Sequence, residues 1–213
     1  MNIRLENIVP HPLLGSYSAH ELWGKEYTFQ SHKKYLITAA SGKGKSTLLH
    51  ILHGSRTDFR GQIWVDQENL EQYSSKQWSS LRSTRLAFVF QDLRLFPQLN
   101  AMDNLLLLER IQPLKSLNER INQYAERMGI EECLLKKCGI LSLGQQQRVA
   151  IIRGLLQDFE FLVMDEPFSH LDEENQAKAG KLIEMVLEEK QAGFILSSLS
   201  EQAPLSIDER ILL

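Results

Sequence analysis

A nine-residue run early in the chain combines the residue types that bind phosphate. Residues 39–47 read Ala-Ala-Ser-Gly-Lys-Gly-Lys-Ser-Thr, which fits the pattern of Ala or Gly, four residues of any type, then Gly-Lys and Ser or Thr. A strand-like segment, 35–38, precedes the run and a helix-like segment, 46–52, follows it. Glycines let backbone N–H groups turn inward around an anion, and the helix start faces the same anion. The run therefore predicts a site for the phosphates of a nucleotide.

The side chains of this run have distinct expected contacts. Lys45 is expected to reach the β- and γ-phosphates, and the Ser46 hydroxyl is expected to ligate Mg²⁺. The other residues expected to contact the phosphates are Ser41, Gly42, Lys43, Gly44 and Thr47. The first position holds Ala39 where glycine is usual, and alanine is tolerated there if its φ stays negative. The alternative is a chance Gly-Lys-Ser in an ordinary loop.

A second run ends in two acids that suit phosphate chemistry. Residues 161–166 read Phe-Leu-Val-Met-Asp-Glu, and a continuous apolar run of this length is typical of a buried parallel strand. Acids at the carboxyl end of such a strand project into the ligand crevice of an open α/β sheet. Asp165 is expected to hold Mg²⁺ through water, and Glu166 is expected to polarise the attacking water. The alternative is a strand that ends in surface acids.

Two further signals are weaker when taken alone. Residues 141–148 read Leu-Ser-Leu-Gly-Gln-Gln-Gln-Arg, and Ser142 is a good N-cap for a helix that continues through 149–152. A capped helix start binds anions, although an ordinary cap is the alternative. Gln91 ends the strand-like segment 88–91, which by itself indicates only a strand that meets a loop.

The elements that must position these residues alternate along the chain. Short strands are expected within 1–38 and at 61–66, 86–90 and 194–196. Helical patterns occupy 103–110, 117–124 and 173–190, and the last shows Ile183, Val186 and Leu187 on one face. The run Leu105 to Leu108 is expected to lie in the core rather than on a docking surface. This alternation predicts an α/β fold with a twisted, mainly parallel sheet flanked by helices.

Composition excludes several classes of protein. The chain has 213 residues with 43% hydrophobic and 24% charged residues, which is ordinary for a globular domain. A net charge of −3 provides no argument for nucleic acid as a partner. No apolar stretch approaches the roughly 18 residues of a membrane span, and the N-terminus lacks the apolar core of a secretion signal. Cys133 and Cys138 match no zinc or redox spacing and are expected to be ordinary thiols of a cytoplasmic protein.

In this order and spacing, the motifs resemble those of the ATP-binding cassette (ABC) ATPases over nearly the whole chain. Residues 39–47 resemble the Walker A loop, residues 161–166 resemble Walker B with its catalytic glutamate, and Gln91 resembles the Q-loop glutamine, a metal ligand and γ-phosphate sensor. Tyr17 lies where the family places an aromatic ring on adenine. The closing segment 207–213 is similar to the family's last strand.

The resemblance also implies residues that contact the nucleotide from a second subunit. Residues 141–145 resemble the signature motif, so that Ser142, the Gly144 backbone and Gln145 would cover the γ-phosphate of a neighbour. Residues 169–172 resemble the D-loop, which adds Asp172. ATP would then join two subunits head to tail, as a homodimer or as a heterodimer with a second cassette.

For the fold, the resemblance implies a P-loop NTPase core with an N-terminal antiparallel β lobe and an inserted helical lobe. The single cassette domain would span 1–213, with the core and β lobe in 1–91 and 144–213 and the helical lobe in 92–143. For function, it implies an Mg²⁺-dependent ATPase that powers a membrane-spanning permease from the inner face of the cell membrane.

Besides Ala39, the chain departs from the family pattern in two places. Leu143 replaces a glycine in the signature, and the segment 197–200, Ser-Ser-Leu-Ser, lacks the histidine that contacts the γ-phosphate. Ser198 is the expected replacement, but serine has a shorter reach and no titratable ring. This leaves open an alternative function, a slow or inactive ATP-gated clamp that regulates a partner.

Overall fold

The computed structural model describes residues 1–15, 22–40, 42–110 and 116–213. The strands are β1 Ile3–Pro10, β2 Glu26–Phe29, β3 Lys34–Thr38, β4 Phe59–Val65, β5 Glu68–Asn69, β6 Leu86–Val89, β7 Phe161–Asp165, β8 Gly193–Ser198 and β9 Glu209–Leu212. The α-helices are α1 Lys45–His53, α2 Ser75–Thr84, α3 Ala101–Leu106, α4 Leu117–Met128, α5 Leu143–Leu156 and α6 Glu173–Lys190. Short 3₁₀ turns connect several of these elements.

A five-stranded parallel sheet carries the predicted chemistry. Its strand order is β6-β7-β8-β3-β9, and each neighbouring pair runs parallel. Parallel strands end at one edge of the sheet, so the residues that follow β3, β6, β7 and β8 are brought together. The register pairs Asp165 with Ser197 and Thr38 with Ser198. The predicted mainly parallel sheet is therefore confirmed.

Alternation along the buried strands divides the interior into two cores. On β7, Leu162 and Met164 face one core while Phe161 and Val163 face the other. Side chains on a strand alternate between its faces, so a strand that is apolar throughout needs cover on both sides. Helices α3 to α6 contribute to the first core, and α1 with the second sheet contributes to the other.

The second sheet is antiparallel and comes from the N-terminal part of the chain. Its order is β2-β1-β4-β5, with β1 paired to both β2 and β4. This sheet confirms the expected N-terminal antiparallel lobe. Helix α2 lay outside the sequence predictions, although Ser74 and Gln77 form a capping box at its start. The sequence of α2 has no periodic apolar pattern, because Leu81 is the one residue that this helix buries.

The helices between β6 and α5 follow the sequence prediction closely. Helix α3 continues as a 3₁₀ turn, Leu107–Arg110, and α4 covers the predicted 117–124 segment and extends to Met128. Leu105 and Leu108 are buried, which confirms the core assignment for those two residues. The boundaries of the helical lobe at 92 and 143 stay a prediction. None of the helices in the described ranges combines the length and the apolar character that membrane crossing requires.

Candidate functional site

The phosphate loop connects β3 to α1 as the sequence predicted. Helix α1 begins at Lys45, and its N-cap, Gly44, offers no side chain to the free N–H groups of the first turn. Gly44 has φ of +102°, and a Cβ there would lie 3.1 Å from the Trp23 ring. Only glycine meets both demands without strain. The helix start is therefore open to an anion, while Trp23 packs against the loop from the protein side.

Lys45 is held in place before any anion arrives. Its side chain is only 5% exposed, and its Nζ donates to the Ala39 carbonyl at 2.8 Å. The nearest carboxylate oxygen, Glu166 Oε1, lies 3.9 Å from Nζ. A nearly buried cation with these two partners keeps donor capacity for a phosphate oxygen, because an ammonium group has three donors.

One open cavity of about 280 Å³, which we call the phosphate cavity, is lined by residues of three of the predicted motifs. Its described lining residues are Gly42, Gly44, Lys45, Ser46, Thr47, Gln91, Glu166 and Leu199. Segments far apart in sequence thus meet at the carboxyl edge of the parallel sheet. Lys43 is exposed beside this cavity and donates its backbone N–H to the Ala40 carbonyl. Two residues expected at this site, Ser41 and Tyr17, lie outside the described residues.

The two acids after β7 occupy different environments. Asp165 is 3% exposed, and its Oδ1 accepts a hydrogen bond from the Ser197 hydroxyl. Glu166 follows in the left-handed region with φ of +48°, a conformation that costs a non-glycine residue about 1 kcal/mol or more. Its backbone N–H donates to the Ser197 carbonyl at 3.1 Å and to the Ser197 Oγ at 3.2 Å. The turn brings the Glu166 side chain into the phosphate cavity, whereas the buried Asp165 is not among the described lining residues of that cavity.

The residues present fit a magnesium ion that shares its coordination with a nucleotide. Ser46 and Gln91 supply hydroxyl and amide oxygens in one cavity, and Asp165 lies one residue from Glu166, which also lines it. Among the described residues, no group of three or more His, Cys, Asp or Glu forms a self-sufficient metal site. Mg²⁺ commonly uses one or two protein oxygens with phosphate and water, and this donor set suits that mode.

The signature segment forms the start of α5, away from the described lining of the phosphate cavity. Ser142 Oγ accepts from the Gln145 N–H at 3.2 Å, and Gln145 Oε1 accepts from the Ser142 N–H at 2.9 Å. A Cβ at Gly144 would lie 2.8 Å from the His170 carbonyl oxygen, so glycine permits this close packing. Leu143 is 49% exposed and points outward. The expected contact of this segment with the nucleotide of a second subunit stays a prediction.

Asp172 has a visible structural role. Its Oδ1 accepts from the Asn175 N–H at 2.8 Å, which caps α6, and both oxygens accept from the Asn175 amide. Asn175 in turn accepts from Arg148 of α5 at 3.0 Å, so the D-loop-like and signature-like segments are connected. The expected contact of Asp172 with nucleotide stays a prediction.

Leu199 lines the phosphate cavity, whereas its neighbour Ser198 does not, and the catalytic role expected of Ser198 stays a prediction. The Ser198 hydroxyl accepts a hydrogen bond from the Ser200 N–H at 3.0 Å. Ser198 lines a neighbouring cavity of about 470 Å³, whereas Leu199 lines both that cavity and the phosphate cavity. Leu199 is 61% exposed and has no hydrogen-bonding group to offer a phosphate. Sequence reasoning missed Leu199 because the end of β8 decides which side chain reaches the site.

A second cleft lies beside Phe90, the residue before Gln91, and sequence reasoning missed it entirely. We call it the arginine–phenylalanine cleft, and it is lined by Arg82, Arg94, Arg153, Phe88, Phe90 and Phe96 among others. None of its described lining residues is acidic. Burial, together with Arg82 and Arg94, lowers the pKa of His53 at its edge to about 4, so this histidine is neutral at pH 7. The residues come from α1, α2, β6, α3, α5 and the segments that connect them, which explains why no local pattern marks them.

Comparisons with known proteins agree with this geometry. Residues 24–169 match the ABC transporter family. The lipoprotein-releasing system ATP-binding protein LolD of Legionella pneumophila is 34% identical over 82% of this chain and 76% of its own length. LolD of Coxiella burnetii is 30% identical over 88% of this chain and 82% of its own length.

Two further relatives differ in how much of their own length this chain covers. The spermidine/putrescine import ATP-binding protein PotA of Fusobacterium nucleatum is 35% identical over 83% of this chain, but the chain spans only 46% of PotA. The dimeric structure of MJ0796, a bacterial ABC transporter cassette, aligns with a TM-score of 0.82 at 23% identity, over 98% of this chain and 96% of that one. This structural match supports the cassette fold, and the family match and the LolD relatives extend it to membership: the chain belongs to the ABC transporter family.

Proposed function

We propose that this chain is an ATP-binding and ATP-hydrolysing subunit that powers a transporter. The observation that supports this most is the single cavity in which Lys45, Ser46, Gln91 and Glu166 meet. A nearly buried cation, an open helix start and a carboxylate in one cavity suit an ATP triphosphate and an attacking water. The LolD relatives are named as the ATP-binding protein of a lipoprotein-releasing system, and PotA is named as an ATP-binding protein of spermidine/putrescine import.

Each residue has a role that follows from its position. Lys45 and the N–H groups of the first turn of α1 bind the β- and γ-phosphates, and Glu166 accepts a proton from the attacking water. Ser46, Gln91 and Asp165 would hold Mg²⁺, which neutralises phosphate charge during the reaction. Thr47 and Gly42 complete the phosphate lining.

ATP would also act as the link between two cassettes. The capped start of α5, with Ser142 and Gly144, lies apart from the described lining of its own phosphate cavity, so it suits the nucleotide of a neighbouring subunit. The partner would be a second copy or a different cassette. The structural relative MJ0796 was obtained as a dimer.

The arginine–phenylalanine cleft is our candidate docking surface for the membrane-spanning subunit. Phe96 is exposed, and Arg94 lies over the Phe90 ring with its Cζ 3.3 Å from the ring centroid. Arg153 of α5 donates to the Leu93 and Arg94 carbonyls, at 2.6 Å in each case, and so holds the loop that follows Gln91. A partner segment with an acid beside an apolar side chain would complement this surface. A movement of that segment would shift the loop that Arg153 holds, and with it Gln91.

We expect Phe96→Ser to weaken capture of the membrane subunit while ATP binding is retained. Truncation of a hot-spot residue costs about 2 kcal/mol or more, which is about 30-fold in affinity, and we expect Phe96 to be such a residue of this interface. Leu135→Ser is the matched control, because Leu135 is another exposed apolar residue and lies outside the cleft. The measurement is co-purification of each variant with the permease. Equal co-purification of Phe96→Ser and Leu135→Ser would contradict the docking proposal.

The clamp alternative predicts binding without turnover, and the family match and the ATP-binding relatives do not favour it. We expect Leu199→His to raise ATPase activity, because the new side chain places a hydrogen-bond donor in the phosphate cavity. One preorganised donor is typically worth roughly 10²- to 10³-fold in rate. Ser198→His should help less, since Ser198 lines the neighbouring cavity. Single-turnover rates for both variants and the wild type test this, and a larger gain from Ser198→His would show that Leu199 has been misplaced.

A further inference from the structure

Ser197 connects the two acids of the candidate site, although it is not among the functional residues expected from the sequence. It lies on β8 directly beside Asp165 in the parallel register. Its hydroxyl donates to Asp165 Oδ1 and accepts from the Glu166 backbone N–H at 3.2 Å. One buried hydroxyl, with 0% of the residue exposed, thus contacts the carboxylate of Asp165, the proposed metal-binding residue, and the backbone of Glu166, the proposed catalytic base.

The surroundings of Ser197 argue for a specific use of this hydroxyl. The preceding residues of β8, Phe194, Ile195 and Leu196, are all apolar and fully buried. A hydroxyl in such a strand is costly unless it is hydrogen-bonded, and a small apolar residue would satisfy packing alone. Here the serine hydroxyl donates to the Asp165 carboxylate and accepts from the backbone N–H of Glu166, the next residue in the chain.

The backbone at Glu166 explains what the contact would achieve. Glu166 has φ of +48°, so its side chain leaves the strand direction and enters the phosphate cavity. The N–H of that strained residue is shared between the Ser197 carbonyl, at 3.1 Å, and the Ser197 hydroxyl. The same hydroxyl limits the orientation of the Asp165 carboxylate. Movement at Ser197 would therefore disturb both acids together.

We propose that Ser197 is a positioning residue that sets Asp165 and Glu166 relative to each other for ATP hydrolysis. This inference rests on the ATPase function proposed above and assigns Ser197 no contact with substrate. Loss of a partner that orients metal-site ligands typically costs about 10- to 100-fold in metal affinity or activity. We expect that loss in Ser197→Ala, which removes the hydroxyl and adds no atoms.

A pair of variants of equal shape separates the hydroxyl from packing. Ser197→Thr retains the hydroxyl and Ser197→Val does not, while each introduces the branched side chain in the same place. For all three variants we would measure single-turnover hydrolysis, ATP affinity by calorimetry in Mg²⁺ and in EDTA, and Tm. Ser197→Ala and Ser197→Val should lose rate and lose much of the gain in ATP affinity that Mg²⁺ provides. Ser197→Thr should preserve both, and affinity in EDTA should be similar throughout.

The outcomes distinguish this inference from the function on which it rests. Failure of the wild type to bind or hydrolyse ATP would overturn the proposed function. A normal wild type with an unaffected Ser197→Ala would overturn the role of Ser197 alone. A lowered Tm with equal losses in Mg²⁺ and in EDTA, or a Ser197→Thr as poor as Ser197→Val, would assign the hydroxyl to general packing and contradict the proposal.

Discussion

Replacement of Glu166 by glutamine is expected to abolish most ATP turnover while ATP stays bound. A positioned general base typically contributes roughly 10²- to 10⁴-fold in rate, and the amide keeps the shape of the carboxylate without its basicity. Lys45 Nζ lies 3.9 Å from Glu166 Oε1, so removing this negative charge also leaves more of the lysine's charge for phosphate. Single-turnover hydrolysis with radiolabelled ATP measures the rate, and calorimetry measures the retained affinity.

The same variant tests the proposed head-to-tail arrangement. Because ATP persists in Glu166→Gln, two subunits should remain joined, and a sizing column should show an ATP-dependent dimer. Glu173→Gln is a suitable control, since Glu173 is an exposed residue in the first turn of α6. Turnover at the wild-type rate in Glu166→Gln would contradict the role of Glu166. A monomer under saturating ATP would instead indicate that a second cassette, or the exposed Leu143, governs closure.

Lys45→Ala is expected to weaken ATP binding by about 10- to 100-fold. A hydrogen bond to a charged group contributes about 1.5 to 3 kcal/mol, and each 1.4 kcal/mol is tenfold in affinity. The cation is 5% exposed and donates to the Ala39 carbonyl, so it is already aimed into the cavity before ATP arrives. Calorimetric titration with Mg²⁺ and ATP measures the loss directly.

Lys43→Ala provides the comparison for Lys45. The Lys43 side chain is exposed, and the expected contribution of this position to the loop comes from its backbone. Its loss should therefore be much smaller than that of Lys45→Ala at equal ionic strength. Equal losses from both variants would mean that the loop binds phosphate by general positive charge and that the assignment of Lys45 is wrong.

Local motifs explain why so much of this structure could be predicted from the sequence. The phosphate loop and the apolar run before Asp165 each carry their information within nine residues or fewer, and α6 covers the predicted 173–190 range. Hydrophobic periodicity and helix caps are short-range signals, so they survive without knowledge of the tertiary fold.

The features that sequence reasoning missed depend on register and on long-range packing. Ser198 and Leu199 are neighbours in sequence, and only the end of β8 places Leu199 in the phosphate cavity. The pairing of Asp165 with Ser197 similarly follows from the parallel register of β7 and β8. The arginine–phenylalanine cleft combines residues from α1, α2, β6, the segment that follows β6, α3 and α5, so no window of sequence contains it.

Phosphate release from Mg²⁺-ATP by the purified wild-type chain, in a single-turnover experiment with Glu166→Gln alongside, tests the central claim most directly. The account predicts that the wild type binds ATP and forms phosphate slowly, because Leu199 brings no hydrogen-bonding group to the phosphate cavity, and that Glu166→Gln forms far less. Bound ATP with no phosphate formed by the wild type, even with the membrane subunit present, would contradict the ATPase and support the ATP-gated clamp.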